Sequence, residues 1–372
     1  MTNRSKPYWG QPPWKIDFHP SAIAMPGSVD FAVVGAGFTG LSAAAELRRL
    51  DPSKTVAVFE AESVGARSSG LTGGLVLAET AVGDLPGLGD VLAGYAHVLS
   101  NLEVNGEVSS QGAWELDRTS RNVDSTILWS DSGQLRVARE VPGGTADPGK
   151  LVSGLARAAE RHGALLFEHA SVDRIDFGEL LTLHVRGRQI QASRALISTN
   201  SESLDLSGLA RRAESKFTLA LATEPIPIPK LEALGLASGK PFYTVDLPYL
   251  WGRLLHGNQV IFGSGLVHLK DWRDLMDIDI REGEAFDLLT RLKKRVNELH
   301  PVLAEIRFSH EWGGPILIAE HWQPVFTRHP RSEQAIVLGG YSGHGVALSV
   351  YLGAWAAEVL LGRRNLPVWN SS

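Results

Sequence analysis

Cysteine is absent from the 372 residues. That excludes disulfides, thiolate metal sites and attachment of a prosthetic group through a cysteine thioether. Blocks of like charge are also missing, and the net charge is only −5. Nothing here draws the chain to nucleic acid or to an anionic membrane. Long apolar runs are lacking as well. The longest, Gly345 to Ala357, is too short to span a bilayer and is followed by Glu358. Met1 to Pro26 is rich in proline and polar residues and has no apolar leader segment, so the cytoplasm is the expected location. No internal repeat, low-complexity segment or metal-ligand spacing is present.

What is present begins at Phe31-Ala32-Val33-Val34, an apolar run that reads as a buried parallel strand. Gly35-Ala36-Gly37-Phe38-Thr39-Gly40 follows at once and leads into an Ala- and Leu-rich helix over 41–50. Glycines at this spacing let the backbone turn sharply and approach a pyrophosphate, which the helix N-terminus stabilises with its N–H groups and dipole. Thr55 to Phe59 reads as the second strand. Glu60 closes it, where a carboxylate accepts ribose hydroxyls. Next comes Ala66-Arg67-Ser68-Ser69-Gly70-Leu71-Thr72-Gly73-Gly74, small and polar, suited to wrapping a flat ligand with N–H and hydroxyl groups.

Further along, helical patterning covers 85–105, 148–162, 284–299 and 346–361. Strands are expected at 113–116, 127–129, 134–137, 165–167, 171–177, 181–185 and 195–198, with an antiparallel region over 216–265. A strand at 336–340 runs into Tyr341-Ser342-Gly343-His344-Gly345-Val346, a second strand–glycine–helix turn. Two such turns, one near each end, imply a ligand with two ends. A dinucleotide carrying an isoalloxazine fits, its pyrimidine edge facing the helix after Gly345.

The pairing of Asp30 to Ala45 with the late Gly340 to Ala347 string resembles the D-amino-acid-oxidase-like family of FAD-dependent oxidoreductases. The Tyr341 to Val346 string looks closest to its γ-glutamylputrescine oxidoreductase branch. The Asp147 to Val152 helix start and Trp312-Gly313-Gly314 before a Pro324 turn add to the likeness, which spans nearly the whole chain. It implies an α/β plus α+β fold. A Rossmann-like FAD-binding domain is assembled from 28–80, 145–215 and 315–372. A substrate domain of mixed, largely antiparallel sheet comes from 81–144 and 216–314. Residues 1–27 form an arm on which Trp9 and Trp14 pack against the body.

Carried onto this chain, the likeness places Gly35, Gly37, Phe38, Thr39, Gly40, Glu60 and Ala61 at the adenosine diphosphate. Arg67, Ser68, Ser69, Thr72, Gly73 and Gly74 run beside the flavin. Val172 meets adenine through its backbone, and Thr199 joins the cofactor set. Gly340, Ser342, Gly343, His344, Gly345 and Val346 meet the flavin ring end. FAD is expected to be bound non-covalently. The substrate is a small amine, primary or secondary, oxidised at its C–N bond to an imine that hydrolyses, with oxygen or another acceptor taking the electrons.

Two departures from the family stand out. No arginine follows Trp312-Gly313-Gly314-Pro315-Ile316, where amino-acid oxidases often clamp a carboxylate. The strand Gln259 to Gly263 carries no lysine of the sarcosine-oxidase kind, and Lys270 lies beyond it. Tyr249 and Arg253 are the substrate-side candidates, expected on one face of a strand. Asp246 is the alternative anchor for a plain amine. Trp312 is a candidate pocket wall, His344 a flavin or turn contact, and His256 and His321 are turn and surface residues. Two other readings stay open: a nicotinamide-dependent Rossmann dehydrogenase, and a catalytically idle flavoprotein subunit.

Overall fold

The computed structural model describes residues 7–122 and 124–370. Two large sheets organise them. The first has a parallel centre: Leu165–Phe167, Val56–Phe59, Ser28–Val34, Arg188–Ile197 and Ser332–Gly339 lie side by side. Val325–His329 extends one edge antiparallel, and Leu181–Val185 and Val172–Asp176 hang from the long strand Arg188–Ile197. Parallel strands need both faces covered, which is why Phe31 to Val34 and Val56 to Phe59 are apolar throughout. Helices Phe38–Leu50, Pro148–Arg161 and Gly345–Leu360 cover one face. Asp147 caps the second of these by accepting from Lys150 N at 2.8 Å.

The second sheet runs in the order Phe308–Ala319, Ala213–Thr223, Val260–His268, Trp251–Leu254, Phe242–Thr244, Ala113–Asp117, Gln134–Val141 and Trp129–Ser130. Every pairing is antiparallel except Phe242–Thr244 with Ala113–Asp117. The amphipathic helix Gly283–Leu299 buries Leu289, Leu292, Val296 and Leu299 in this sheet's core. The expected boundaries at 215/216 and 314/315 fall inside the strands Ala213–Thr223 and Phe308–Ala319. Those two strands pair along their whole length, so the sheet extends past both points. No helix among the described residues is long and apolar enough to cross a membrane.

Residues 7–18 run over the body as an arm. Tyr8 N donates to Ile278 O and Ile280 N to Tyr8 O, while Gly313 N donates to Trp9 O at 2.8 Å. Farther on, Asp17 N donates to Ser153 Oγ. The arm therefore leaves the edge strand Phe308–Ala319 of the second sheet and ends on a helix of the first.

Candidate FAD and substrate site

The turn after Ser28–Val34 opens a cleft. Gly35, Gly37, Glu60, Ala61, Arg67, Ser68, Ser69, Val172 and Thr199 line it together, joined by Ser198, Asn200 and Glu202. These residues come from four separate stretches that the parallel sheet brings to its carboxyl end, where such folds bind ligands. Gly40 admits no side chain, because a Cβ there would lie 2.0 Å from Gly35 O. The helix Phe38–Leu50 has no acidic residue in its first turn and no side-chain cap from Gly37; its first N–H, on Phe38, donates to Ser69 Oγ at 3.0 Å, and its N-terminal end lies at the cleft.

Glu60 is held from both sides. One carboxylate oxygen accepts from Ala36 N at 2.8 Å, the other from Glu62 N at 3.0 Å. Burial nonetheless pushes its carboxyl up from the ordinary carboxylate range. Glu202 stands nearby and is pushed up to about 7, chiefly by burial and against the pull of Arg67. Arg67 pairs with Glu62 and lies across the Trp9 ring at 4.2 Å. Its Nε stands 3.3 Å from a Glu202 carboxylate oxygen, while Thr199 Oγ1 is buried without a hydrogen-bond partner. A glycine cradle, a helix N-terminus at the cleft and the orphaned Thr199 hydroxyl fit a nucleotide diphosphate.

The late turn sits beside this cleft. Asn200 joins them: its Oδ1 accepts from Gly340 N at 3.1 Å and its Nδ2 donates to Ser68 Oγ at 3.3 Å. Ser342 N donates to Leu317 O, and Ser342 Oγ accepts from Ala319 N. Gly343 (φ +93°) then swings the chain into Gly345–Leu360, whose N-terminus carries no acidic residue and no side-chain cap. His344 occupies the N-cap position. Burial lowers its pKa, and its Nδ1 lies 3.4 Å from Ser342 O. Phe38, Thr39, Gly40, Thr72, Gly73, Gly74 and the residues of the late turn do not line the cleft. Asn200 and Glu202 went unnoticed in the sequence; their only signal is a place just past the strand end at Ile197.

The second sheet turns one face toward residues 70–79. Its register aligns Trp312, Ala220, Gly263, Trp251, Tyr243 and Glu115 in one row, and Ala222, Ile261 and Arg253 in the next. Alternation puts both rows on the same face. Trp312 Nε1 donates to Leu71 O at 2.9 Å, and the Trp251 ring fills the space where a Cβ on Gly73 or Gly263 would lie. Arg253 is 6% exposed. Its Nε donates to Gly73 O at 2.6 Å, and neither Nη has an acceptor among the described residues. Burial lowers its pKa to about 10, so it stays charged at neutral pH.

Tyr249 does not share that face. Thr244 N donates to Leu250 O, and Leu250 N to Thr244 Oγ1, closing a turn. Residues 245–249 are its loop, the strand begins at Trp251, and Tyr249 is exposed. Asp246 pairs with Arg118. His256 and His321 are exposed, as expected.

The chain matches the family model described as FAD dependent oxidoreductase over residues 30–141 and 111–359. It is 27% identical to a probable oxidoreductase OrdL of Rhizobium meliloti over 91% of this chain and 85% of that protein. It is 25% identical to γ-glutamylputrescine oxidoreductase of Escherichia coli over 59% of this chain and 49% of that protein. Among solved structures, glycine oxidase from Geobacillus kaustophilus superposes with a TM-score of 0.73 at 18% identity, covering 91% of this chain and 96% of the other. The chain belongs to the D-amino-acid-oxidase-like family of FAD-dependent oxidoreductases, and FAD is its cofactor.

Proposed function

We propose that this enzyme oxidises the C–N bond of a small amine that carries an acidic group, and that Arg253 holds that group. FAD, when bound, would supply the two-electron acceptor for this step, with oxygen or another acceptor as the final electron sink. The substrate carbon loses hydride, its nitrogen loses a proton, and water hydrolyses the resulting imine. The names glycine oxidase and γ-glutamylputrescine oxidoreductase among its likenesses favour amine chemistry.

One observation carries the acidic substrate: a buried, charged guanidinium with two Nη atoms lacking acceptors, on the sheet face packed against the Gly73 loop. Asp147 and Glu107 favour the charge through space, and neither accepts a hydrogen bond from it, so the Nη atoms are left to an incoming acceptor. A carboxylate meets it with the right geometry. A plain amine anchored by Asp246 is less favoured, because Asp246 is already paired with Arg118. We assign the nucleotide half of FAD to the cleft at Gly35 and Glu60, and the flavin to the space between Gly73 and the Gly345–Leu360 N-terminus.

The test is anaerobic mixing of FAD-loaded protein with amines, amino acids and N-substituted amino acids. Acidic amines should bleach the flavin. Arg253→Met should then lower kcat/KM strongly, since a lost charge-assisted contact in a dry pocket costs about 2–5 kcal/mol. A silent Arg253→Met, with full activity on the substrate's methyl ester, removes Arg253 from the site. No bleaching with any amine supports an idle flavoprotein.

A further inference from the structure

The arm crosses the seam between the two sheets at Trp14. Its Nε1 donates to Gly70 O at 2.7 Å, one residue before the carbonyl that Trp312 Nε1 holds. The two indoles meet edge to face, with centroids 5.5 Å apart and planes at 84°. Arg253 Cζ stands 5.9 Å from the Trp14 ring centroid. Around them the sheet face is small or flat: Ala220, Ala222, Ile261 and Trp251. Trp14 is only half-buried, whereas Trp312 is fully enclosed.

Fixing the arm does not require this indole. Main-chain bonds at Tyr8 and Trp9 already hold its first part, and Asp17 N holds the end. Arg67 lying over Trp9 adds a further clasp. What Trp14 adds is a rigid aromatic surface beside the one buried arginine of this face, its ring orientation locked by Gly70 and Trp312. Trp14 packs with Leu71 and Trp251 against this small-residue cluster, and its half-buried ring keeps part of its surface open.

We infer that the N-terminal arm is a wall of the substrate chamber, and that Trp14 is a specificity-determining residue selecting an aryl or other flat group next to the carboxylate at Arg253. This rests on the reading of Arg253 given above. A strap that only joined the sheets would be indifferent to the shape of the ligand.

Binding of simple carboxylates tests this without turnover. FAD-loaded full-length protein is titrated with acetate and with benzoate, following the perturbation of the flavin's visible spectrum and the tryptophan fluorescence. Wild type should bind benzoate about tenfold or more tighter than acetate. Trp14→Ala should erase most of that ratio, leave acetate affinity within about twofold, and leave FAD content unchanged; Trp14→Phe should restore much of it. Trp322→Ala, an exposed site elsewhere, should change neither. The inference fails if wild type binds neither carboxylate or does not discriminate. It also fails if Trp14→Ala keeps the ratio, or if Trp14→Ala and Trp14→Phe weaken both ligands and FAD alike, which marks a structural role. Arg253→Met separates the two claims: if it leaves both affinities intact, the Arg253 reading is wrong whatever Trp14 does.

Discussion

Tyr341 Oη lies 2.7 Å from Thr39 Oγ1, both buried, across 302 residues of sequence. One belongs to the late glycine turn, the other to the first turn of the helix after Gly37. This contact ties the late glycine turn to the first one, the two turns to which we assign the two ends of FAD. It also explains why neither turn is complete alone: Ser42 Oγ on the same helix donates to Val350 O on the other. The two helices are held as one unit.

Tyr341→Phe should therefore reach both turns. It leaves Thr39 without its buried partner, a loss of about 1–3 kcal/mol. We expect a lower melting temperature and faster FAD loss on dilution, with the amine preference unchanged. Thermal denaturation monitored by release of flavin fluorescence measures both. An unaltered FAD off-rate would show that the contact does not govern the cofactor.

Glu60→Gln probes the first turn. Both carboxylate oxygens already accept backbone N–H bonds from Ala36 and Glu62, so the side chain shapes the turn in addition to the ribose contact we assign to it. An amide has one accepting oxygen where the carboxylate has two, and one N–H donor will lose its acceptor. FAD occupancy should drop, by up to about 1.5–3 kcal/mol in affinity for a charge-assisted bond. Excess FAD should restore turnover. Unchanged occupancy would mean that the turn has been misassigned.

FAD should be held without a covalent bond. The chain has no cysteine, and Arg67 to Gly74 contains no histidine. His344 lies in the late turn at the helix N-cap, which the assignment above places at the pyrimidine end of the flavin. After acid precipitation the yellow colour should stay in the supernatant. Colour in the pellet would overturn this.

The two glycine turns and the parallel strands were legible because both rest on local chemistry: apolar runs of strand length, glycines at the strand ends, a carboxylate after the second strand. The substrate face was only half legible. Arg253 is a candidate in the sequence through its alternation with Tyr249, and the structure buries it on this face. Tyr249 was misplaced by alternation, since counting in twos cannot see the turn that Thr244 and Leu250 close. Asn200 and Glu202 gave no signal. Their positions depend on the crossover that sets Arg188–Ile197 beside Ser28–Val34, and on the late turn folding back against Asn200. Trp14 likewise read as packing, because only the pairing of the arm with Phe308–Ala319 brings it to Arg253.

Glu202 makes the pH behaviour of the nucleotide cleft testable. Its carboxyl is raised from 4.5 to about 7, mainly by burial, so the folded protein holds this proton more tightly than the unfolded chain does. The sign follows from linkage. Below about pH 4.5 the group is neutral in both states and adds no penalty. Between about 4.5 and 7 the unfolded chain ionises first and folding stability falls; above 7 the penalty is constant. At 1.36 kcal/mol per unit, the penalty is at most about 3 kcal/mol. FAD-stripped Glu202→Gln should thus melt a few degrees higher than wild type at pH 8, and the two should converge near pH 5. Bound pyrophosphate disfavours the ionised carboxylate further, so the same variant should also retain FAD better at pH 8 than wild type, with little difference at pH 5.5. Melting curves and FAD retention across that range check both. A variant that destabilises equally at pH 5 and pH 8 would show that Glu202 serves through its pairing with Arg67, and not through its buried charge.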